Sequence, residues 1–451
     1  METTKERLFS NRQLILLILP LVVEQGLSIL VGMCDSVMVS SAGEAAISGV
    51  SLVDMINAVV LTLFAALATG GAVVISHCLG ARDLPNARRS TGQLVAMSAV
   101  LSLLLMAFCL IFARGLMKLF FGSIEKAVMD AGLLYLRITA LSFPFIALYN
   151  AGAAIFRSMG NSKVSMKVSL VMNIINVVGN AICVLWLRMG VVGVAIPTLI
   201  SRAVAAMIIL ILISRRKQEL YLEGKYVFRY QGNILGKILR IGIPSACENS
   251  FFQLGRVIVV SMIALFGTVQ TSANAVACSI DNLACISGNA VSMAMVTVVG
   301  QCVGAGDAKQ VNYYIKKLMI WSYILWAINS LPTLIFCRPL ISLYSTLSQE
   351  TANLAFRLIW IHNGLGILMW PLTFVLPNAL RAACDVRFTM RVGVASMLLV
   401  RIGLSWVLCV CLGWGATGVW IAMILDWIVR ISFFLPRVLS GKWKKMCMLV
   451  Q

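Results

Sequence analysis

Charged residues are scarce in this 451-residue sequence, in which only 12% of the residues are Asp, Glu, Lys or Arg. A soluble globular chain carries about a quarter charged residues, so the composition excludes an ordinary soluble protein. Hydrophobic residues make up 60% of the sequence. They form runs of about 20 residues, each long enough to cross about 30 Å of hydrocarbon as a helix. The sequence therefore predicts an all-α polytopic membrane protein.

Acidic residues are the scarcer charged class, with 17 Asp and Glu against 37 Lys and Arg. Such an excess of basic residues could indicate nucleic-acid binding. Here the basic residues concentrate in alternate gaps between apolar runs, as they do in the cytoplasmic loops of membrane proteins. These gaps include Lys5, Arg12, Arg82, Arg88, Arg157, Lys163, Arg216, Lys309, Lys317, Arg381, Arg387 and Lys445. We therefore predict cytoplasmic termini, a plasma-membrane location, contact with the lipid bilayer and no nucleic-acid partner.

Histidines are rare, and the cysteines do not form pairs typical of a redox or metal site. The two histidines, His77 and His362, stand alone, and the 13 cysteines include no CxxC pair. Neither pattern matches a metal site, a disulfide framework or a nucleophile–base cluster. We predict buried, inert thiols, packed or lipid-edge histidines, no metal and no enzyme activity.

Twelve apolar runs predict twelve transmembrane helices. The predicted ranges are 13–39, 45–78, 91–113, 128–156, 164–187, 191–213, 238–266, 271–303, 312–337, 349–380, 391–412 and 415–438. A longer basic segment divides the chain into an N-lobe at 1–214, a cytoplasmic linker at 215–237 and a C-lobe at 238–451. Each lobe would therefore contain six helices.

The two halves repeat one another at a nearly constant spacing. Pro244 and Glu248 lie 224 residues after Pro20 and Glu24, and the same spacing relates "CLGARD" to "CVGAGD" and "FRSMGNSK" to "LRAACDVR". Because six helices return the chain to its starting side, the two six-helix lobes should be related by a pseudo-two-fold axis along the membrane normal. Many transporters share this plan, but duplication by itself does not establish transport.

These features together resemble the MATE (multidrug and toxic compound extrusion) family of the MOP superfamily. They are the six-plus-six helices, an early proline in helices one and seven, the segment "GMCDSVMVSSAGEAAISGVS", the pair "LGARD"/"VGAGD", and "FRSMGNSK". The resemblance covers essentially the whole chain. It implies a transporter that exports cationic and amphiphilic compounds in exchange for H⁺ or Na⁺, with lobes that rock between outward-open and inward-open states.

Two carboxylates, Glu24 and Asp35, lie in the first apolar run, where a charged side chain costs about 3 kcal/mol or more. They are 11 residues apart, which places them on one face of a helix. Asn173, Asn176 and Asn180 share a face of helix five and could hold a protonated Asp35 or bind a cation with it. We predict that these five residues couple transport to a cation. Alternatively, neighbouring donors could satisfy the acids, and the Asn residues could be interhelical contacts.

The chain departs from the family pattern at two places that bear on the coupling ion. The resemblance places an Asn and an Asp four residues apart on helix five, at Asn176 and Asn180, and the second of these is Asn here. Helix ten has no acid, although the sodium-coupled branch of the family has one there. Both departures favour H⁺ over Na⁺, and no other cofactor is expected.

Further polar residues in the apolar runs are candidates for substrate binding. The candidates are Asp54, Asn57, Glu248, Gln253, Asp281 and Asn282. Arg256 lies eight residues after Glu248 and could pair with Glu248 or Asp281, which would make either acid structural. Asp426 and Arg430 are four residues apart on helix twelve, and we expect them to form an ion pair.

The combined prediction is a monomeric multidrug efflux transporter that exchanges small organic cations and other amphiphilic drugs for a cation. Asp35 would bind a proton from outside and release it inside during rocker-switch alternating access. The alternative is a lipid-linked oligosaccharide flippase of the same superfamily. A flippase would have extra helices and a strongly cationic cavity, and neither is visible in the sequence.

Overall fold

The structure, a computed structural model, describes residues 7–40, 43–122, 125–344 and 347–444. The basic residues Lys5 and Lys445, which were assigned to the cytoplasmic side, lie outside these ranges. Within them the chain is helical and contains no strand. The predicted all-α fold is therefore confirmed.

The first half of the chain forms helices α1 to α8. Helix α3 passes into α4 after Phe112, and α5 meets α6 at a bend of 46°. The bounds are α1 Asn11–Ser40, α2 Glu44–Gly80, α3 Leu84–Ile111, α4 Ala113–Phe121, α5 Lys126–Leu141, α6 Phe143–Ser158, α7 Ser162–Asn180 with π-helical turns over Ala181–Trp186, and α8 Val192–Ser214.

The linker contains the short helix α9, and the second half forms α10 to α17. Several of these helices contain π-helical turns. The bounds are α9 Gly224–Phe228, α10 Gly232–Ala264, α11 Thr268–Gly304, α12 Ala308–Ile335, α13 Cys337–Ser342, α14 Gln349–Trp370 with Pro371–Val375, α15 Leu376–Ala382, α16 Val386–Ala395 with Ser396–Leu404 and Trp406–Cys411, and α17 Gly415–Leu439.

Ten helical segments of the described chain are long and apolar enough to span a membrane, and the bent pair α5/α6 makes an eleventh. Helix α10 has 33 residues. Its polar and charged residues, including Lys237, Glu248 and Arg256, lower its hydropathy. With α10, each of the twelve predicted helices has a helical counterpart in the structure.

The duplicated "LGARD" and "VGAGD" segments form the same helix–turn–helix junction in both halves. Arg82 and Gly306 adopt positive φ angles of 58° and 69°, which end α2 and α11. Asp83 then accepts a hydrogen bond from the Asn86 amide, and Asp307 accepts one from the Gln310 amide, each at 3.1 Å. These aspartates cap α3 and α12. Helix α3 therefore begins at Leu84, not at residue 91 as its charged first turns led us to predict.

The helices pack into two compact units. The N-terminal unit is Ile15–Ala246, and the C-terminal unit is Met1–Leu14 together with Cys247–Gln451. The division therefore falls inside α10 and not in the predicted linker. In the C-terminal unit, the backbone N–H of Phe9 donates to the hydroxyl of Tyr314 on α12, and that hydroxyl donates to the carbonyl of Phe9, both at 2.8 Å.

The twelve cysteines that the structure describes are all free. Cys109, Cys302, Cys337 and Cys409 are buried. The prediction of uniformly buried thiols is wrong, because three others have exposed side chains. The exposed cysteines are Cys34, Cys247 and Cys411.

A close approach between α2 and the start of α10 depends on Gly70. A Cβ atom at this position would lie 2.6 Å from the carbonyl oxygen of Ile238 and 3.0 Å from the amide nitrogen of Gly242. Both atoms belong to the backbone, so neither can move aside as a side chain would. The start of α10 is thereby held within the N-terminal unit.

We predict that Gly70→Ala lowers the stability of the purified protein by about 1–3 kcal/mol, the usual cost of overpacking. The thermal unfolding midpoint in detergent measures this. Gly236→Ala on α10 is the matched control, because nothing lies within 4 Å of its added Cβ. Ala is also the better helix former by about 1 kcal/mol. Equal midpoints for the two variants would contradict the close approach.

Candidate functional site

The N-terminal unit contains a cavity of about 260 Å³ lined by residues of α1, α2, α5, α7 and α8. Its wall combines apolar side chains with a group of polar ones. The polar lining residues are Asp35, Ser51, Asp54, Tyr135, Asn173, Asn176, Thr198, Ser201 and Arg202. Two carboxylates and one guanidinium group therefore line the same space.

Asp35 contacts the asparagine face that the sequence predicts. Its Oδ1 accepts a hydrogen bond of 2.6 Å from Nδ2 of Asn180. The same amide nitrogen lies 3.3 Å from Oδ1 of Asn176, whose own Nδ2 donates to Oγ1 of Thr198 at 3.0 Å. Asn173 also lines the cavity, and its buried Nδ2 has no partner among the described residues. This chain of polar groups connects α1, α7 and α8.

Asp54 on α2 is held by two donors. Nδ2 of Asn57 lies 3.4 Å from its Oδ1, and the hydroxyl of Tyr135 also hydrogen-bonds to its carboxylate. Arg202 on α8 interacts electrostatically with Asp54 and Asp35. With both acids ionised and Arg202 charged, these three groups carry a net charge of −1, which one bound proton would neutralise.

Glu24 does not line this cavity, although it shares a face of α1 with Asp35. Its Oε1 lies 3.5 Å from Arg157 NH1 and accepts a hydrogen bond of 3.2 Å from the hydroxyl of Tyr149. Its Oε2 accepts a hydrogen bond of 2.9 Å from Oγ of Ser165. These contacts correspond to the alternative in which donors satisfy the acid. The predicted coupling role of Glu24 stays a prediction.

Glu248 forms the equivalent ion pair in the C-terminal unit. Its Oε1 lies 2.8 Å from Arg381 NH2, and Arg381 NH1 also donates to Oδ1 of Asn378 at 2.8 Å. Arg381 lies 224 residues after Arg157, the same spacing that relates Glu248 to Glu24. The repeat therefore preserves a carboxylate–guanidinium pair between the first helix and the "FRSMGNSK"-type motif of each half.

Asp281 on α11 lies beside two residues of α14. Its Oδ1 accepts a hydrogen bond of 2.6 Å from Nδ2 of Asn363, and its Oδ2 lies 3.4 Å from Nδ1 of His362. All three side chains are buried. The expectation that His362 stands alone or at the lipid edge is therefore wrong, while His77 is half-buried in the last turn of α2.

The predicted partnership of Arg256 with the acids of the second half is not observed. Glu248 pairs with Arg381, and the ion-pair partner of Asp281 is His362. Spacing along one helix suggested Arg256, whereas the observed partners come from other helices. Asn282 is exposed and Gln253 is half-buried, so the proposed substrate-binding set of the second half does not form one cluster with Asp281. The predicted pair of Asp426 and Arg430 is confirmed at 3.0 Å.

A sequence model of the MatE family matches residues 20–182 and 244–407. The chain belongs to the MatE family. The two matched segments cover most of the chain and fall one in each half, as the sequence repeat requires. This MATE protein is therefore a multi-pass membrane transporter, and the family resemblance carried by its motifs is confirmed.

Relatives and solved structures support the same assignment along the whole chain. The uncharacterized transporter YisQ of Bacillus subtilis is 28% identical over 94% of this chain and 93% of its own length. The probable multidrug resistance protein NorM of Thermotoga maritima is 25% identical over 98% and 95%. The solved structure of a MOP superfamily transporter from Pyrococcus furiosus covers 96% of each chain, with a TM-score of 0.89 and 18% identity. At that identity the structural likeness shows the fold alone.

Five residues that contact the candidate acids were missed or misjudged in the sequence. They are Tyr135, Arg157, Arg202, His362 and Arg381. The repeat spacing already related the two arginines of the ion pairs, and a lone arginine in an apolar run such as Arg202 is itself a signal of function. Among the described residues, no group of three His, Cys, Asp or Glu side chains could hold a metal ion.

Proposed function

We propose that this MATE transporter exports cationic or amphiphilic organic compounds across the plasma membrane in exchange for protons, with both termini in the cytoplasm. The observation that most supports this is the cavity that Asp35 and Asp54 share with Arg202. The name of the Thermotoga maritima relative, a probable multidrug resistance protein, supports the substrate class. We propose a monomer, because this cavity is lined entirely by residues of one unit.

The contacts of the two carboxylates favour a proton over sodium. Asn180 and Asn57 direct amide N–H groups at Asp35 and Asp54, and Tyr135 hydrogen-bonds to Asp54. Donor groups leave fewer oxygen lone pairs for a metal cation, and the charge of Arg202 repels one. A proton needs a single lone pair on Asp35.

In the proposed cycle, Asp35 alternates between a proton and a cationic substrate. When Asp35 is ionised, the net charge of −1 on the two carboxylates and Arg202 attracts a cation. Protonation removes this charge and weakens the bond to Asn180. Hydrogen bonds to charged groups contribute about 1.5–3 kcal/mol, against about 0.5–1.5 kcal/mol for neutral pairs. Because the bond joins α1 to α7, proton binding changes a helix contact and biases alternating access.

The size and charge of the cavity support export of small cations over flipping of a lipid-linked oligosaccharide. Ligand pockets usually measure about 300–1,000 Å³, and this one measures about 260 Å³. It suits a small organic cation or one end of a larger amphiphile. Two carboxylates beside one guanidinium group do not make the strongly cationic cavity expected of a flippase.

Purified protein in liposomes tests the proposed coupling ion. Ethidium fluorescence follows transport while a pH gradient or a sodium gradient is imposed alone, with protein-free liposomes as the blank. We expect transport under the pH gradient, and its loss when a protonophore collapses that gradient. Transport driven by sodium at clamped pH, with none driven by pH, would overturn proton coupling. No ethidium movement under either gradient would count against export of this class of compound.

A further inference from the structure

The Asp281–His362 contact in the C-terminal unit has no role in the function proposed above. Both side chains are almost fully buried, with 5% and 6% of their surfaces exposed. Oδ2 of Asp281 faces Nδ1 of His362 at 3.4 Å. Within the described residues, neither atom has a hydrogen-bond partner. Two buried titratable atoms therefore face each other across a gap that a modest approach would close into a hydrogen bond.

Asn363 fixes the orientation of the Asp281 carboxylate. The hydroxyl of Ser330 donates to Oδ1 of Asn363 at 3.2 Å, which turns the amide nitrogen toward Asp281. That nitrogen donates to Oδ1 of Asp281 at 2.6 Å and to the carbonyl of Ile359 at 3.3 Å. One carboxylate oxygen is thus occupied by a neutral donor, which leaves Oδ2 as the acceptor for a proton on the imidazole.

Three indole rings surround the imidazole of His362. The ring centroids of Trp427, Trp420 and Trp326 lie 5.1, 5.8 and 6.4 Å from its own. Trp420 is held in place by a 2.9 Å hydrogen bond from its Nε1 to Asn274. A cation within about 6 Å of a tryptophan ring is stabilised by the ring electrons. The surroundings can therefore accommodate an imidazolium as well as a neutral imidazole.

The other charged groups near α14 have partners of their own or act on Asp281 only at a distance. Asp426 and Arg430 of α17 pair with each other at 3.0 Å, and Arg381 of α15 pairs with Glu248. Helix α12 carries no charged residue after Lys317, and α14 carries none after Arg357. The remaining titratable groups in electrostatic range are the thiols of Cys278, Cys285 and Cys337, with Arg256 acting on the first two and Arg338 on the third.

We propose that Asp281 and His362 form a proton-binding site in the C-terminal unit, in which the bound proton lies on Nδ1 of His362 and is donated to Oδ2 of Asp281. Without that proton on the pair, the carboxylate and neutral imidazole carry a net charge of −1. With it, carboxylate and imidazolium sum to zero. A buried unpaired charge is costly and a hydrogen-bonded pair is much less so. Proton binding therefore stabilises the contact between α11 and α14.

This site uses no residue of the N-terminal cavity, so it stands independently of proton coupling at Asp35. It would give the transporter a second proton-binding position. Its occupancy would change a helix contact within the C-terminal unit, as Asp35 does for α1 and α7.

Histidine-selective nitrogen NMR on the full-length protein in lipid nanodiscs tests the proposal directly. The chain has two histidines, so the variant His77→Gln leaves His362 as the single labelled side chain. Unchanged thermal unfolding of this variant is the control for its fold. Between about pH 5 and about pH 8, where histidines commonly titrate, we expect His362 to pass from imidazolium to neutral imidazole. A ring that keeps one protonation state across this range would overturn the proposal.

The same spectra of Asp281→Asn in the His77→Gln background test whether the site is a pair. We expect the titration midpoint of His362 to move by more than about one pH unit, a tenfold change in proton affinity. Asp130→Asn, at an exposed carboxylate of α5 in the other unit, should leave it unchanged. If Asp281→Asn does not fold, Asp281→Glu takes its place, because moving the carboxylate by one methylene alters the 3.4 Å contact. A midpoint unaffected by the substitution at residue 281 would overturn the pairing.

Discussion

Asp35→Asn should reduce gradient-driven export to the level of protein-free liposomes while the protein still folds and inserts. Asn has nearly the same shape as Asp, and its Oδ1 can still accept the hydrogen bond that Asn180 donates to Asp35 at 2.6 Å. The contact between α1 and α7 can therefore persist. What the variant loses is the group that binds and releases a proton, together with one of the two negative charges in the cavity. Ethidium transport under an imposed pH gradient measures the loss.

Asp130→Asn is the matched control for Asp35→Asn, because it makes the same chemical change at an exposed carboxylate on α5. It should transport as the unmodified protein does. Thermal unfolding and yield from the membrane fraction should be similar for all three proteins. Near-normal, gradient-dependent export by Asp35→Asn would rule out coupling at this residue and would leave the polar cavity as a substrate site only.

Arg381→Gln should destabilise the C-terminal unit by about 3–5 kcal/mol, the usual cost of leaving one member of a buried ion pair without its partner. Glu248 is 7% exposed, and its Oε2 already has no hydrogen-bond partner within the described residues. Removing the guanidinium 2.8 Å from Oε1 leaves the carboxylate without compensation. Chemical unfolding in one detergent, compared with that of the unmodified protein, measures the cost.

The equivalent change in the N-terminal unit, Arg157→Gln, should cost less. Glu24 keeps hydrogen bonds from Tyr149 at 3.2 Å and Ser165 at 2.9 Å, and its ion pair is longer, at 3.5 Å. The double variant Glu248→Gln/Arg381→Gln should recover much of the stability that Arg381→Gln loses, because no unpaired charge remains. Equal costs in the two units, or a double variant less stable than Arg381→Gln, would contradict this reading of the pairs.

Helical periodicity predicted contacts whose geometry is set by faces of single helices. The asparagine face of helix five and the position of Asp35 on helix one could both be read from spacings of three, four and eleven residues. Their meeting needed only that two polar faces avoid lipid. The pair of Asp426 and Arg430 needed still less, because both partners lie on one helix.

Partners on different helices were beyond the same reasoning. Spacing along α10 suggested Arg256 for Glu248, but an ion-pair partner is chosen by the packing of neighbouring helices, and Arg381 lies on α15. His362 looked isolated for the same reason, since its partner Asp281 is distant in sequence. The repeat held part of the missing information, because a spacing that relates Glu24 to Glu248 also relates Arg157 to Arg381. Arg202 escaped notice because the search for coupling groups considered acids.

The division of the chain inside α10 has an evolutionary consequence. The N-terminal unit includes the first turns of α10, which open the second repeat, and the C-terminal unit includes the residues just before and at the start of α1, which open the first. Corresponding segments of the two repeats have thus been exchanged. If each repeat descends from a separate six-helix protein, that ancestor would have completed its fold only as a homodimer with swapped ends. Gene fusion then made the exchange intramolecular, so a chain cut at the linker would yield two fragments that each need the other to be complete.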